Sequence, residues 1–336
     1  MRTALHPRDA LFASHERAPL LPVADHYAGV DARMRKALAI QGEMADRALF
    51  DVTLDLEDGA ALGAEAEQAA RIAELIASPA NRFNRVGVRL HPHGHPCFAQ
   101  DLAMLFGPAG AGPRLAFLMV PKVADAAELA AACAQIEAAA LAAGCTPPPV
   151  HALVETHGAL REVQALAALP AVESLSFGLM DFVSAHRGAI SAQGMRLHGQ
   201  FSHPLIVRAK LEIAAACHAQ GKTPSHSVIT EFNDREAITQ AARKAAQDFG
   251  YLRMWSIHPN QIAPIIEAFA PDPAELDDAI AIVSAAQANQ WAPIAHKGLL
   301  HDRASFRYFW HVLERAERTG QALPAEVRRA FFDPAA

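Results

Sequence analysis

Glu155 and Asp181 are the side chains whose spacing most directly suggests chemistry. Each follows a β-type run, LVET and SFGLMD, so on consecutive parallel strands their carboxylates would lie side by side. Adjacent carboxylates in a cleft invite a hard divalent cation. Mg2+ fits best, because it takes oxygen ligands octahedrally and leaves most positions to water and substrate. The plainer alternative is that Glu155 caps the helix containing Leu160 and that Asp181 pairs with Arg187. Arg89, in VGVRLHP, is held between apolar Val86 and Val88 and a following proline, so its guanidinium fork suits a carboxylate or a developing enolate oxygen. An inward salt bridge to Glu57 or Asp58 is the plainer reading, and the two are compatible.

Glu57 and Asp58 end the stretch FDVTLDLEDGA, residues 50–60, which reads as a buried strand closing on a cluster of acids. Carboxylates this dense need a cation, a basic neighbour or a raised pKa. Strand by strand, the polar groups expected at the ends are Asp25 with His26, Glu57 with Asp58, Arg89 with His91, Lys122, Glu155, Asp181 and His258. Acids interleaved with Arg and Lys at successive strand ends make a constellation where one polar residue would not. The run HPHGHP, 91–96, looks like a metal tract, but its imidazoles two apart among Pro and Gly lack the helical spacing that aligns ligands, and it reads as a loop. There is no GxSxG, no cysteine with an obvious histidine partner, no GxGxxG and no P-loop.

The elements that must position these groups alternate. Strands are expected near 20–25, 50–57, 85–91, 115–122, 150–155, 172–178, 225–230 and 254–258. Helical runs near 33–45, 64–76, 126–142, 160–169, 205–220 and 235–249 lie between them. Asp125, Asn233 and Asp272 each stand three residues before a glutamate and are predicted N-caps, the last with proline in the first turn. Alternating strands and helices predict an α/β fold, a (β/α)8 TIM barrel over residues 1–271, with a doubly wound open sheet as the runner-up. Beyond Pro271 the pattern is helical, near 273–289 and 302–319 with a connector near 291–300. Residues 272–336 therefore read as a C-terminal lid or oligomerisation extension, its aromatics Trp291, Phe306, Tyr308, Phe309 and Trp310 packing on the barrel or on a neighbouring subunit.

The 336 residues suffice for a large core, and 51% hydrophobic with 20% charged residues is globular. A formal charge of −6 spread along the chain argues against nucleic acid and anionic membranes as partners. No leader-type apolar run opens MRTALHPRDALFASHER and no run spans a bilayer, so a cytoplasmic location is expected. Four cysteines, Cys97, Cys133, Cys145 and Cys217, lie far apart and suit reduced, mostly buried thiols.

The ordered set DLEDG (55–59), VRLHP (88–92), VPK (120–122), VET (154–156), FGLMDF (177–182), SIHPNQI (256–262) and KGLLHD (297–302) resembles the citrate lyase β-subunit family, with its malyl-CoA and citramalyl-CoA lyases and related hydroxy-oxo-acid aldolases. The resemblance runs from about residue 20 to 319. It implies a Mg2+-dependent (β/α)8 enzyme that makes or breaks a carbon–carbon bond in a β-hydroxyacyl-CoA, releasing an acyl-CoA and a 2-oxo acid. Metal ligation falls on Glu155 and Asp181, with Glu57 and Asp58 ordering metal-bound water. Substrate oxygens fall to Arg89, with Lys122 beside it. Asp302 in LLHDRAS is similar to the family's lid aspartate, a general acid/base commonly contributed by a neighbouring subunit of a trimer or hexamer. The chain departs from the family pattern at PVADHYAG (22–29), at His91 where asparagine is common, at ETHGAL (155–160) and after Asp181. Two other readings remain open: an aldolase on free hydroxy-oxo acids, and a barrel that binds metal and acids without turnover.

Overall fold

Strand β2, Phe50–Asp55, shows why the sheet closes on itself. All six of its residues are buried, so both faces must be covered, as parallel strands require. Asp51, Thr53 and Asp55 alternate with Val52 and Leu54, and the polar set meets partners across the barrel interior. The structure is a computed structural model that describes residues 5–13, 20–60, 63–108 and 110–333. Residues 1–4 and 14–17 of the N-terminal stretch read for a leader lie outside these.

Eight strands pair in sequence order as a closed parallel barrel: β1 (Ala24–Ala28), β2, β3 (Val86–Arg89), β4 (Leu115–Val120), β5 (Val150–Val154), β6 (Val172–Phe177), β7 (Thr223–His226) and β8 (Arg253–Ser256). β8 returns to pair with β1, so the (β/α)8 expectation holds and the open sheet does not. Helices such as Asp31–Met44, Glu65–Ala77, Ala126–Ala142 and Pro204–Ala219 form the crossovers. Asp125 caps its helix by accepting from the Glu128 N–H at 2.9 Å. The next predicted cap moves by one residue: Asp234, not Asn233, accepts from the Ala237 N–H.

The interior holds an apolar cluster of Phe117, Met119, Leu153 and Trp255. Below it, at the N-terminal ends of the strands, lies a buried ionic knot. Arg253, fully buried, reaches Asp51 at 2.5 Å and Asp25 at 3.0 Å. Arg85 clasps Asp51 through two bonds of 2.6 and 2.7 Å, and Thr53 donates to Asp25 at 2.7 Å. This corrects the expected placement of Asp25 and His26 at a C-terminal strand end. Pro22 has no N–H for a ladder, so β1 starts after it, and Asp25 falls near the strand's beginning. His26 packs instead against Ser256, 2.9 Å away.

The chain divides into two compact units, Pro22–Ala268 and Met1–Leu21 together with Phe269–Ala336. The second unit contains the short helix Pro7–Leu11, which the sequence division counts with the barrel, and the helices Pro273–Ala288, Arg303–Arg318 and Ala325–Phe331. Phe306, Trp310, Leu11, Phe12 and Phe331 share its core, so much of the tail's aromatic content is absorbed within the unit, while Tyr308 stays exposed. The connector read near 291–300 holds a short antiparallel hairpin, Ile294–His296 with Leu299–His301. Asp272 caps Pro273–Ala288 as expected. No disulfide forms among the four cysteines, and only Cys217 is buried, so the expectation of mostly buried thiols fails for Cys97, Cys133 and Cys145. Among the described residues no helix is long and apolar enough to cross a membrane.

Candidate active site

Glu155 is the first residue beyond β5, and it is only 3% exposed. The Lys122 backbone N–H donates to its Oε1 at 2.7 Å. Gly178, just past β6, packs so closely that a Cβ there would overlap Oε2 of Glu155. Burial first, and the negative charge of Asp181 second, push the Glu155 carboxyl up to about 8. Asp181 lies in the first turn of the helix Leu179–Ser184. Glu155 is not a helix cap: Thr156 takes that part for His157–Arg161, accepting from the Ala159 N–H at 3.0 Å. Two neighbouring carboxyls, one of them buried with its pKa pushed up, form an oxygen donor set. That set fits a hard cation of the Mg2+ kind.

Arg89 ends β3 opposite Asp55 in the ladder. Its Nε and Nη2 donate to the two oxygens of Asp55 at 2.7 and 2.9 Å, and Nη2 also donates to the Tyr27 hydroxyl at 2.7 Å. Nη1 stands 3.1 Å from Glu57. Burial works against the guanidinium charge, but the bonds and charge of Asp55, with Glu57 behind, more than restore it, so its pKa is raised. The predicted pairing with Glu57 is therefore present, and the stronger clasp is Asp55. Sequence reasoning gave Asp55 and Tyr27 no part in the site. The signal was the alternation of β2, which turns Asp55 inward with Asp51, but only the strand register shows that Arg89 lies opposite. Asp55 also accepts from the Gly59 N–H at 2.6 Å and the Glu57 N–H at 3.1 Å, so one buried carboxylate shapes the whole LEDG turn.

Lys122 completes the group. Its φ of 51° is left-handed, a conformation that costs a residue with a side chain about 1–2 kcal/mol. The turn sends its N–H to Glu155 and its ammonium to Glu57 and to Asp58, the latter at 2.8 Å. Burial opposes the charge, but the bonds to Asp58 and Glu57 raise its pKa; Asp58 is lowered in turn, chiefly by Lys122 against the cost of burial. A cavity of about 440 Å3 opens beside these residues, lined by Glu57, Asp58, Lys122 and the 91–95 loop. Six of the seven predicted site residues thus belong to one mouth. Asp302 belongs to the helical unit, where it caps Arg303–Arg318 in a capping box with Ser305.

A closed parallel barrel whose C-terminal mouth gathers acids around fixed cations defines the class, a (β/α)8 enzyme. Residues 32–259, more than half of the chain, match the family described as HpcH/HpaI aldolase/citrate lyase. The chain belongs to that family, and it is an enzyme of the lyase class. It is 30% identical over 293 residues to an L-malyl-CoA/beta-methylmalyl-CoA lyase of Cereibacter sphaeroides, covering 83% of this chain and 91% of that one. A crystal structure of a citrate lyase from Burkholderia xenovorans superposes with a TM-score of 0.82 at 48% identity, covering 98% of this chain and 100% of that one. A citrate lyase beta subunit from Mycobacterium tuberculosis, complexed with oxaloacetate and magnesium, gives 0.57 at 25% identity, over 77% of this chain and 100% of that one.

Proposed function

We propose that this protein is a Mg2+-dependent lyase that cleaves, or forms, the carbon–carbon bond of a β-hydroxyacyl-CoA of the malyl or citramalyl type, giving an acyl-CoA and a 2-oxo acid. The observation that carries the reading is the Glu155 carboxyl, buried beside Asp181 at the mouth of the barrel, where burial and that neighbouring charge push its pKa up to about 8. Glu155 and Asp181 would hold the ion. Bound there, Mg2+ supplies Lewis acidity toward the carboxylate and carbonyl oxygens of a 2-oxo acid.

The chain's own groups account for the rest. Nη1 of Arg89 retains an N–H beyond its contact with Glu57, and it would donate to the substrate oxygen on which negative charge grows as the bond breaks. Asp55 and Tyr27 keep the guanidinium from turning away. Lys122 offers a second cation for a substrate carboxylate; Glu57 and Asp58 restrain it and would order water at the metal. Asp302 would move the proton as general acid/base, brought by a helical lid, residues 272–336, from a neighbouring subunit of a trimer or hexamer. The barrel unit would carry the remaining chemistry, in the cytoplasm. Malyl-CoA lyase relatives favour a thioester over free hydroxy-oxo acids.

A panel of β-hydroxyacyl-CoA thioesters and free hydroxy-oxo acids, incubated with Mg2+ and followed for 2-oxo acid release, tests the reading. Turnover of a thioester that disappears in Glu155→Gln with Asp181→Asn is expected. Turnover retained in that double variant would overturn the metal assignment, and turnover of free acids alone would overturn the thioester.

A further inference from the structure

We propose that His91, His95 and Cys97 form a second metal site in the barrel unit, one that takes a borderline divalent ion such as Zn2+ and differs in ligand chemistry from the carboxylate pair. One nitrogen of each ring and the Cys97 Sγ lie within 4.8 Å of one another. The loop reading of residues 91–96 holds, yet the loop folds the imidazoles together and adds a thiol that the HPHGHP spacing did not include.

The local structure explains the convergence. His91 follows β3 and is buried. Its Nδ1–H donates to Oδ2 of Asp101 at 2.8 Å, and the same oxygen accepts the His91 backbone N–H at 3.0 Å. Asp101 is itself fully buried in the first turn of the helix Phe98–Leu105. A carboxylate on Nδ1 fixes the tautomer and leaves Nε2 with its lone pair, the arrangement that orients metal-binding histidines. The His95 N–H bonds back to the Pro92 carbonyl at 2.8 Å, which folds the loop and stacks the two rings 4.5 Å apart and 9° from parallel. Cys97 stands at the N-cap position of the Phe98–Leu105 helix.

Nitrogen and sulfur donors select a softer ion than Mg2+. In a tetrahedral Zn2+ site the ligand atoms stand about 3.4–3.6 Å apart, so closure draws the three donors together and turns the His95 ring out of its stack on His91; His95 and Cys97 are more open to solvent than His91. Binding displaces the thiol proton to solvent. Three protein ligands leave a fourth position, and His91 and His95 line the cavity of about 440 Å3 that Glu65, Glu57 and Lys122 also line. That position is available to Glu65, to water or to an anionic group of a ligand in the cavity. The inference does not depend on the proposed reaction.

The test uses the full chain saturated with Mg2+ and titrated with Co2+, then Zn2+. Expected are tetrahedral cobalt bands in the visible and a near-ultraviolet thiolate-to-cobalt charge-transfer band, both abolished by Zn2+ and unmoved by excess Mg2+. Cys97→Ser should delete the charge-transfer band, and His95→Ala, at a site exposed enough to tolerate the change, should weaken Co2+ binding at least about tenfold. A circular dichroism spectrum matching the wild type excludes misfolding as the cause. A charge-transfer band that persists in Cys97→Ser, cobalt displaced by Mg2+, or no cobalt bound above the Mg2+ background would each overturn the proposal.

Discussion

The two ends of this barrel are built from the same residue types and reach opposite electrostatic outcomes. At the N-terminal end, Asp25 and Asp51 are matched by Arg253 and Arg85, and the charge of the arginines holds Asp51 below the usual carboxylate range despite its burial. At the C-terminal end, Glu155 is as deeply buried but has Asp181 for a neighbour, and it is pushed up to about 8. Balanced charge at one end is what a stable closed barrel needs. Charge left unbalanced at the other is tolerable only where a ligand completes it, so the asymmetry separates scaffold from site.

The widest break in that contrast should come from Arg253→Ala, which leaves buried Asp25 without its cation and Asp51 with Arg85 alone. It should cost about 3–5 kcal/mol in urea unfolding, and a loss under about 1 kcal/mol would mean that the knot is not a structural pair. Next comes pH. Glu155 has a folded pKa above its ordinary value, so the native state holds its proton between about 4.5 and about 8 while the unfolded chain does not. Relative to Glu155→Gln, metal-free wild type should therefore lose stability as pH rises through that window, by at most about 1.4 kcal/mol per pH unit. Buried His26, whose pKa burial lowers to about 4, adds stability over the lower part of the same window in both proteins, so the difference between them isolates Glu155. Asp51 contributes in the other direction, stabilising above its ordinary pKa and losing that contribution as acid protonates it. A metal-free stability difference between wild type and Glu155→Gln that is flat from about 4.5 to about 8 would contradict the assigned environment of Glu155. The smallest effect is expected from Glu57→Gln, which loosens Arg89 and Lys122 and should weaken Mg2+ affinity about tenfold without abolishing it. Calorimetry showing unchanged affinity would reduce the DLEDG stretch to a turn.

Much of the scaffold is legible because it is written in local chemistry. The alternation of FDVTLD, and caps such as Asp125 and Asp272, act over a few residues, and the structure keeps them. What escapes is set by distant partners. Asp25 looks like a strand end until Pro22 and the pairing with β8 fix where β1 begins. Asp55 looks like one acid among several until the β2–β3 register puts Arg89 opposite. The hairpin at 294–301 is read only as a connector because three-residue strands carry too little periodicity. The carboxylate pair was legible in the sequence because strand ends converge whatever the loops do; the link from Lys122 to both halves of the mouth depends on a left-handed backbone that no residue type announces.

Gly178 has no side chain to do chemistry, yet it limits how the barrel can be redesigned. Its Cα faces the Glu155 side chain so closely that a methyl group would meet Glu155 Cβ at 2.6 Å, with the carboxylate oxygen nearer still. In a mutant library that randomised the mouth to change substrate preference, members altered at this position should displace the Glu155 side chain. Variation in specificity is better sought at cavity-lining positions such as Ala60 and Pro92, which lie away from that contact.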